Sequence, residues 1–423
     1  MLSRLELLPT ELISSIAEVF CLHCSAPRSC QCGKGCLAVG RGLGRGGGPE
    51  CEPECPPSEI RARICALDSL CRTSRRLWVV ATPHLYHRPD ADKWWLLART
   101  LLHRSDLAQH VKRINYTGLE IKDEPDDIAP EVWSYYEARR KEAHEAAMLR
   151  VKSKYGSLRP DTELEDFDYW NMYERREGHY ENFGRSDSLP PLEFDLASCD
   201  RHSLLATLCP EIEVLEAAMS LPSACYLSAP LTLPRLVSVE LAWEDASVWL
   251  FERFGLRQLA KLFRAAPNLR VLRCSAVCDK ANDGDLSEAA TASALTHVEL
   301  TRCTIMPHAL AYFLRACSRL ETLRYHADGG FDPMVGVDQF HPLQARDAIL
   351  QYGGSLKKVA MDFSACLRWR DPTSLVEPPQ DGWYPSRGES EDFFQSFTER
   401  GIELELTLYD RGSRRQIRRR NFG

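Results

Sequence analysis

Apolar residues recur at helical spacing in two stretches near the N-terminus, and at a different spacing across the C-terminal two-thirds of the chain. Leu12, Ile13, Ile16, Val19 and Phe20 fall at three- and four-residue steps, which gathers them on one side of a helix. Pro9 suits the first helical position, where a missing N–H costs nothing, and Glu11 sets a carboxylate in the first turn beside the positive end of the dipole. A second run follows Pro56 and Pro57, with Ser58 as its N-cap. Ile60, Ile64, Leu67, Leu70, Cys71, Ser74 and Leu77 keep the helical stride. Pro83 is expected to end this helix, because proline removes a donor and biases Thr82 away from helical backbone.

Farther along, the pattern changes. Ile212-Glu213-Val214-Leu215 begins a series that continues at Leu236, Leu269, Leu295, Leu320 and Leu356, with starts 24 to 36 residues apart. From Leu236 onward each phrase reads apolar-x-x-apolar-x-apolar, as in Leu236-Val237-Ser238-Val239-Glu240-Leu241. Val111 to Tyr116 has the same form and is the expected first rung; Ile402 to Leu406 alternates and is the expected last. Helical stripes that end in breakers precede several phrases, such as Leu259, Leu262 and Phe263 before Pro267-Asn268. The pattern resembles a degenerate leucine-rich repeat, in which each strand–loop–helix unit buries its apolar side only by stacking on its neighbours. The spacing is irregular and the asparagine ladder is missing, and a generic α/β domain with parallel strands is the other reading.

The N-terminal phrases carry a second resemblance. Leu8-Pro9 with Glu11-Leu12, then Leu70-Cys71 with Ser74-Arg75-Arg76-Leu77, then Thr82-Pro83 with Leu85-Tyr86 follow one another in the order found in fungal F-box proteins. This similarity implies a three-helix surface, to which Leu8, Pro9, Leu12, Ile13, Ile16, Leu70 and Leu77 contribute, gripping the Skp adaptor on a cullin scaffold. In the family the first two helices are close in sequence; here residues 21–57 intervene. An extruded surface loop adds little closure entropy and leaves the docking face intact.

That insertion is rich in cysteine and glycine. Seven of the chain's seventeen cysteines lie in it, beginning Cys21-Leu22-His23-Cys24. The N-terminus has no basic segment followed by an unbroken apolar core, so a reducing cytoplasm or nucleus is expected and disulfides are not. In that setting Cys21, Cys24, Cys32 and Cys36 form a candidate zinc set, since thiolates bind zinc tetrahedrally. The alternative is a reduced, flexible linker, given the short spacer and the glycines from Gly40 to Gly48.

The expected organisation is α/β: an F-box-like helical module at 1–90 with the insertion at 21–57, and a connecting helix with the first repeat strand at 91–117. An acidic and aromatic insertion at 118–195 and an irregular leucine-rich-repeat solenoid at 196–410, parallel strands with helices on the convex side, come next. A solvated basic tail at 411–423 completes it. The second insertion opens with Asp123-Glu124-Pro125-Asp126-Asp127, continues in a helix from about Glu131 to Tyr155, and carries acid–aromatic alternation through Trp170; it is expected to be among the most mobile parts. A net charge of −7 with no concentrated basic face excludes nothing about protein partners, but argues against nucleic acid. No apolar run is long enough to span a bilayer.

Catalytic signatures are missing. There is no G-x-x-x-x-G-K-[ST] loop and no G-x-S-x-G elbow, and the twelve histidines are scattered. His84 and His87 flank Tyr86 in the docking module; histidines of this kind are usually structural or exposed. The expectation is a non-catalytic substrate receptor of an SCF-type ubiquitin ligase. Its target would meet Ser238, Glu240, Arg270, Arg273, Thr296, Glu299, Glu321, Arg324 and Lys358, the polar positions of the repeated phrase. Two other classes fit the same residues: a repeat scaffold independent of the ligase, and a zinc-binding regulatory protein.

Overall fold

A computed structural model describes residues 4–24, 57–89, 94–115, parts of 129–138, 201–219, 232–243, most of 262–277 and of 294–327, 342–362, 387–410 and 415–420. Within them the chain is α/β, with a single open sheet whose nine strands lie in chain order. Strands β1 (Arg113–Asn115), β2 (Val214–Met219), β3 (Ser238–Trp243), β4 (Val271–Ser275), β5 (His297–Cys303), β6 (Thr322–Ala327), β7 (Lys358–Asp362) and β8 (Glu403–Asp410) are parallel, each to the next. β9 (Arg415–Arg420) closes the edge antiparallel to β8.

The repeated phrase accounts for this register. Ile114, Leu215, Val239, Leu272, Val298, Leu323, Val359 and Leu404 stand directly across from one another and are all buried. Two positions on, Leu241, Cys274, Leu300, Tyr325, Met361 and Leu406 form a second buried column. The residues that open the phrases, from Val111 and Ile212 to Leu356 and Ile402, form a third. Each buried Leu or Val contributes roughly 1.5–3 kcal/mol, so the columns dominate the energetics. Tyr325 is accommodated because its hydroxyl donates to the Cys303 carbonyl at 3.1 Å and accepts from the Ile305 amide at 3.2 Å, where β5 shifts register.

The rungs also share one backbone turn. The opening amide of a phrase donates to the carbonyl three residues back, as Leu236 to Leu233, Leu269 to Ala266 and Leu320 to Cys317, each at 3.1 Å. The next two amides then share one carbonyl of the preceding rung: Arg270 and Val271 on Val237, Thr296 and His297 on Arg270, Glu321 and Thr322 on Thr296. Rungs of unequal length therefore start each strand in the same way. The last rung is one residue shorter: Ile402 takes the Phe397 carbonyl at 2.9 Å, after Gly401 turns with φ of +68°.

Helices pack on the face that carries the columns. α6 (Arg201–Leu208), α7 (Pro307–Ala316), α8 (Pro342–Tyr352) and α9 (Arg387–Thr398) bury Leu205, Leu310, Phe313, Leu314, Ile349, Phe393 and Phe397 in the same core. The alternate strand residues lie on the opposite face.

The N-terminal module comprises α1 (Thr10–Phe20), α2 (Pro57–Thr73) and α3 (Arg75–His87), followed by α4 (Trp94–His103) and α5 (Ser105–Ala108). Ala17, Leu67 and Ala81 meet at its centre, flanked by Phe20, Leu70, Cys71 and Leu85. Two expectations are corrected here. The stretch through Leu77 is two helices, because Ser74 turns extended and its Oγ accepts from the Leu77 amide at 3.4 Å, capping α3. Pro83 does not end α3; the helix runs on to His87, since Ala81, Thr82 and His84 are buried by continuing it. α2 starts at Pro57 itself, one residue ahead of the expected cap.

The basic tail is corrected too. Arg415 to Arg420 is a strand, with Arg420 across from Glu405 and Ile417 across from Leu408. Arginines on an outer strand discourage further pairing there. Of the expected helix from Glu131, residues 130–132, 134, 135 and 138 are described as helical, with Val132 buried and the Tyr135 hydroxyl 3.4 Å from Thr207 Oγ1. The acidic stretch 123–127 and the aromatic segment 163–170 lie outside the described residues.

Gly353 gives a direct test of the rung turn. A Cβ there would sit 2.6 Å from the Ile349 carbonyl oxygen and overlap Leu356 Cδ1. Gly353→Ala is expected to lower stability by about 1–3 kcal/mol, whereas Gly354→Ala, which meets nothing within 4 Å, stays near wild type; urea unfolding of the two variants checks this.

Candidate functional site

Arg76 joins the two phrases of the docking module. Its guanidinium donates to the Glu6 carbonyl, to the Leu8 carbonyl at 2.7 Å and to Thr10 Oγ1 at 3.3 Å. The residues around Leu8-Pro9 are thereby pinned to the start of α3. At the other end of α1, Arg63 of α2 reaches the Val19 carbonyl at 3.5 Å while pairing with Glu59 at 2.6 Å. α1 thus runs alongside α3, with α2 returning between their ends.

Of the seven expected docking residues, Pro9 and Leu12 are exposed, and Leu8, Ile16 and Leu70 are half-buried. Ile13 and Leu77 are shut inside the module, so they hold it together and do not face a partner. The helical stripe on α1 splits, because only the line through Ile13 and Ala17 is covered. Leu12 (51 % exposed) and Val19 (64 %) point outward, joined in exposure by Leu7, Trp78 and Val79.

A second cluster forms where α1 and α3 end together. Cys21 and Cys24 sit in the turn after α1, and His84 and His87 sit one turn apart on α3. One ligating atom from each lies within 4.8 Å of all the others, so the group can hold a metal ion. His87 Nδ1 is 3.5 Å from Cys21 Sγ and 3.4 Å from Cys24 Sγ. The Cys24 amide donates to Cys21 Sγ at 3.4 Å. His84 Nε2 lies 3.3 Å from Ser14 Oγ, while its buried Nδ1 has no hydrogen-bond partner. Burial lowers His87 to about 4, helped by neighbouring His84, His23 and Lys112. Desolvation, then the Cys21 sulfur, pushes the Cys24 thiol up to about 12. The His87 imidazole and the Cys24 thiol are thus neutral at pH 7 when no ion is bound.

The sequence reading selected Cys21 and Cys24 but paired them with Cys32 and Cys36, which lie outside the described residues. It passed over His84 and His87 as isolated. The signal is present as Cys-x-x-Cys followed by His-x-x-His, and neither pair points to the other until the fold joins them.

The nine expected recognition residues separate into three rows along the sheet, the first two on the face away from the helices. Glu240, Arg273, Glu299 and Arg324 stand in register on β3 to β6, Ser238 and Lys358 lie two positions earlier, and Arg270, Thr296 and Glu321 sit at the strand starts. Glu240 (9 % exposed) and Glu299 (5 %) are buried, contrary to their expected role as contact residues. They flank Arg273 at 3.6 Å on each side and hold its guanidinium in place. Arg113 pairs with Glu216 toward one end of the sheet, and Lys358 with Glu403 at 2.9 Å toward the other.

Comparison with family models gave no match to this chain, and comparison with curated proteins gave none either. Among the described residues no helix is long and apolar enough to cross a membrane.

Burial, then the Glu216 carboxylate, raises Glu240 to about 7 against the pull of Arg273. The folded value lies above the unfolded one, so folding takes up a proton between about pH 4.5 and 7. The stability due to neutral Glu240 is complete below that window and is lost as pH rises through it. Glu240→Gln is expected to flatten this decline and to raise stability at pH 8 by roughly 1–3 kcal/mol, read from urea midpoints across the pH range.

Proposed function

We propose that the chain is the substrate-recognition subunit of an SCF-type ubiquitin ligase, docking a Skp adaptor through α1 to α3 and holding a target on the sheet. The observation that carries this reading is the Arg76 contact set. The Ser-Arg-Arg-Leu phrase of α3 grips the backbone of the Leu-Pro phrase before α1, although residues 21–56 separate α1 from α2. The interrupted module is therefore one packed unit, with Leu7, Leu12, Val19, Trp78 and Val79 left as an apolar exterior. Such a patch with a polar rim suits a helical protein interface.

The sheet supports the second half of the proposal. Eight parallel strands in chain order, three stacked apolar columns and one recurring turn are what a leucine-rich-repeat solenoid requires. The target surface is then the outer face, where Arg273, Arg324, Lys358 and the strand-start residues Arg270, Thr296 and Glu321 remain accessible to varying degrees. Glu240 and Glu299 lie beneath them on either side of Arg273. The ligase's other subunits would carry out ubiquitin transfer, and the reading needs no catalytic residue in this chain. The metal in this reading is zinc, at Cys21, Cys24, His84 and His87, where two sulfurs and two imidazoles suit its tetrahedral preference.

Co-purification of the full chain with a Skp-type adaptor tests the docking half. Leu12→Asp with Val19→Asp alters only outward-facing residues and is expected to reduce capture more than about tenfold, with the circular dichroism spectrum unchanged. Capture at the wild-type level by this double variant would move docking elsewhere, and failure of the wild type to bind would leave the repeat-scaffold reading in its place.

A further inference from the structure

The metal cluster lies where the helical module meets the sheet. His87 is the last residue of α3, and its carbonyl accepts from the Lys112 amide at 3.0 Å, immediately before β1. The Lys112 ammonium in turn lies 3.5 Å from Glu213 and 3.6 Å from Glu211, at the approach to β2. His23, between the two cysteines, reaches Glu213 at 3.7 Å. Every one of these links passes within two residues of a ligand in the cluster or of the first strand.

The cluster is arranged for an ion. The sulfur-to-imidazole separations of 3.4 and 3.5 Å match the edges of a tetrahedron built on zinc–sulfur bonds of about 2.3 Å and zinc–nitrogen bonds of about 2.0 Å. The amide of Cys24 already donates to Cys21 Sγ, holding that sulfur in place toward the other ligands. His84, only 8 % exposed, holds Nε2 against Ser14 and leaves Nδ1 buried with no partner. A metal bond is the contact that would satisfy that atom, and Ser14 would then be the outer-shell group that fixes the imidazole tautomer. The charges balance. Two thiols give up two protons to solvent on binding, and two thiolates with two neutral imidazoles cancel the charge of one divalent zinc ion. Calcium or magnesium would need oxygen ligands, and no carboxylate belongs to the set.

We infer that one zinc ion bound by Cys21, Cys24, His84 and His87 fastens the end of α1 to the end of α3 and sets how the docking module meets the first rung, so that metal loading governs presentation of the adaptor face. This rests on the docking reading for its consequence, but not for its chemistry. The residues at 21–24 open the long insertion, so the ion closes the module at the point where the chain departs from it.

The test uses the full chain expressed in zinc-supplemented medium. Elemental analysis is expected to give one zinc per chain, and cobalt exchange to give the visible absorption of a tetrahedral thiolate site. Cys24→Ser and His87→Ala should each weaken binding by roughly 100-fold or more, while Cys65→Ser, an exposed thiol elsewhere, should leave it unchanged. Chelation should speed hydrogen exchange at the Lys112 amide and reduce adaptor capture. Zinc-free protein, or zinc retained by both ligand variants and lost in Cys32→Ser with Cys36→Ser, overturns the assignment. Unchanged Lys112 protection after chelation overturns the fastening role. Zinc binding and Lys112 protection without capture in either form would uphold the metal inference and sink the docking reading instead.

Discussion

The stacking of one apolar rung on the next is the interaction on which the molecule depends. No single strand of this sheet has a partner close in sequence, apart from the β8–β9 pair, and no rung can cover its own Leu and Val side chains. The columns through Ile114 to Leu404 and Leu241 to Leu406 remove that surface from water only when all rungs are in register. The recurrent turn, two amides on one carbonyl of the preceding rung, supplies the register mechanically. Rung length can then vary without disturbing the strand starts.

The two faces of the sheet follow opposite rules. Alternation sends every second strand residue to the far side, where the chain places charges of both signs in neighbouring positions. Buried carboxylates are tolerable there because Arg273 lies between Glu240 and Glu299. The cost appears at Glu240, whose ionisation is opposed by desolvation and by Glu216. An arginine held from both sides loses less freedom on meeting a partner than one free in solvent.

The module at the N-terminus is small and its core is correspondingly small: Ile13, Ala17, Leu67, Leu77 and Ala81 are its buried apolar residues along the three helices. Polar contacts do a large share of the joining. Arg76 fixes one end of α1, and the cysteine–histidine cluster occupies the other. A small unit with a thin apolar centre gains most from a fastening of this kind, and its position beside Lys112 ties the unit to the larger body behind it.

The repeat, the strand positions and the existence of α1 and α2 were legible in the sequence, because apolar spacing is a local property and the rung phrase repeats. The division at Ser74 was not: a helical stride in apolar residues continues across a capping serine, and only the extended backbone there breaks it. Which side of α1 is covered was equally hidden, since Leu12 and Ile13 are alike as residues and differ only in what packs on them. Arg415 to Arg420 read as a tail because pairing with β8 is a tertiary event. The cysteine–histidine cluster is the clearest instance. The sequence determined that two cysteines stand three apart and two histidines stand three apart; only the fold decided that they meet, because that depends on α1 and α3 lying side by side although residues 21–86 separate their last residues, Phe20 and His87.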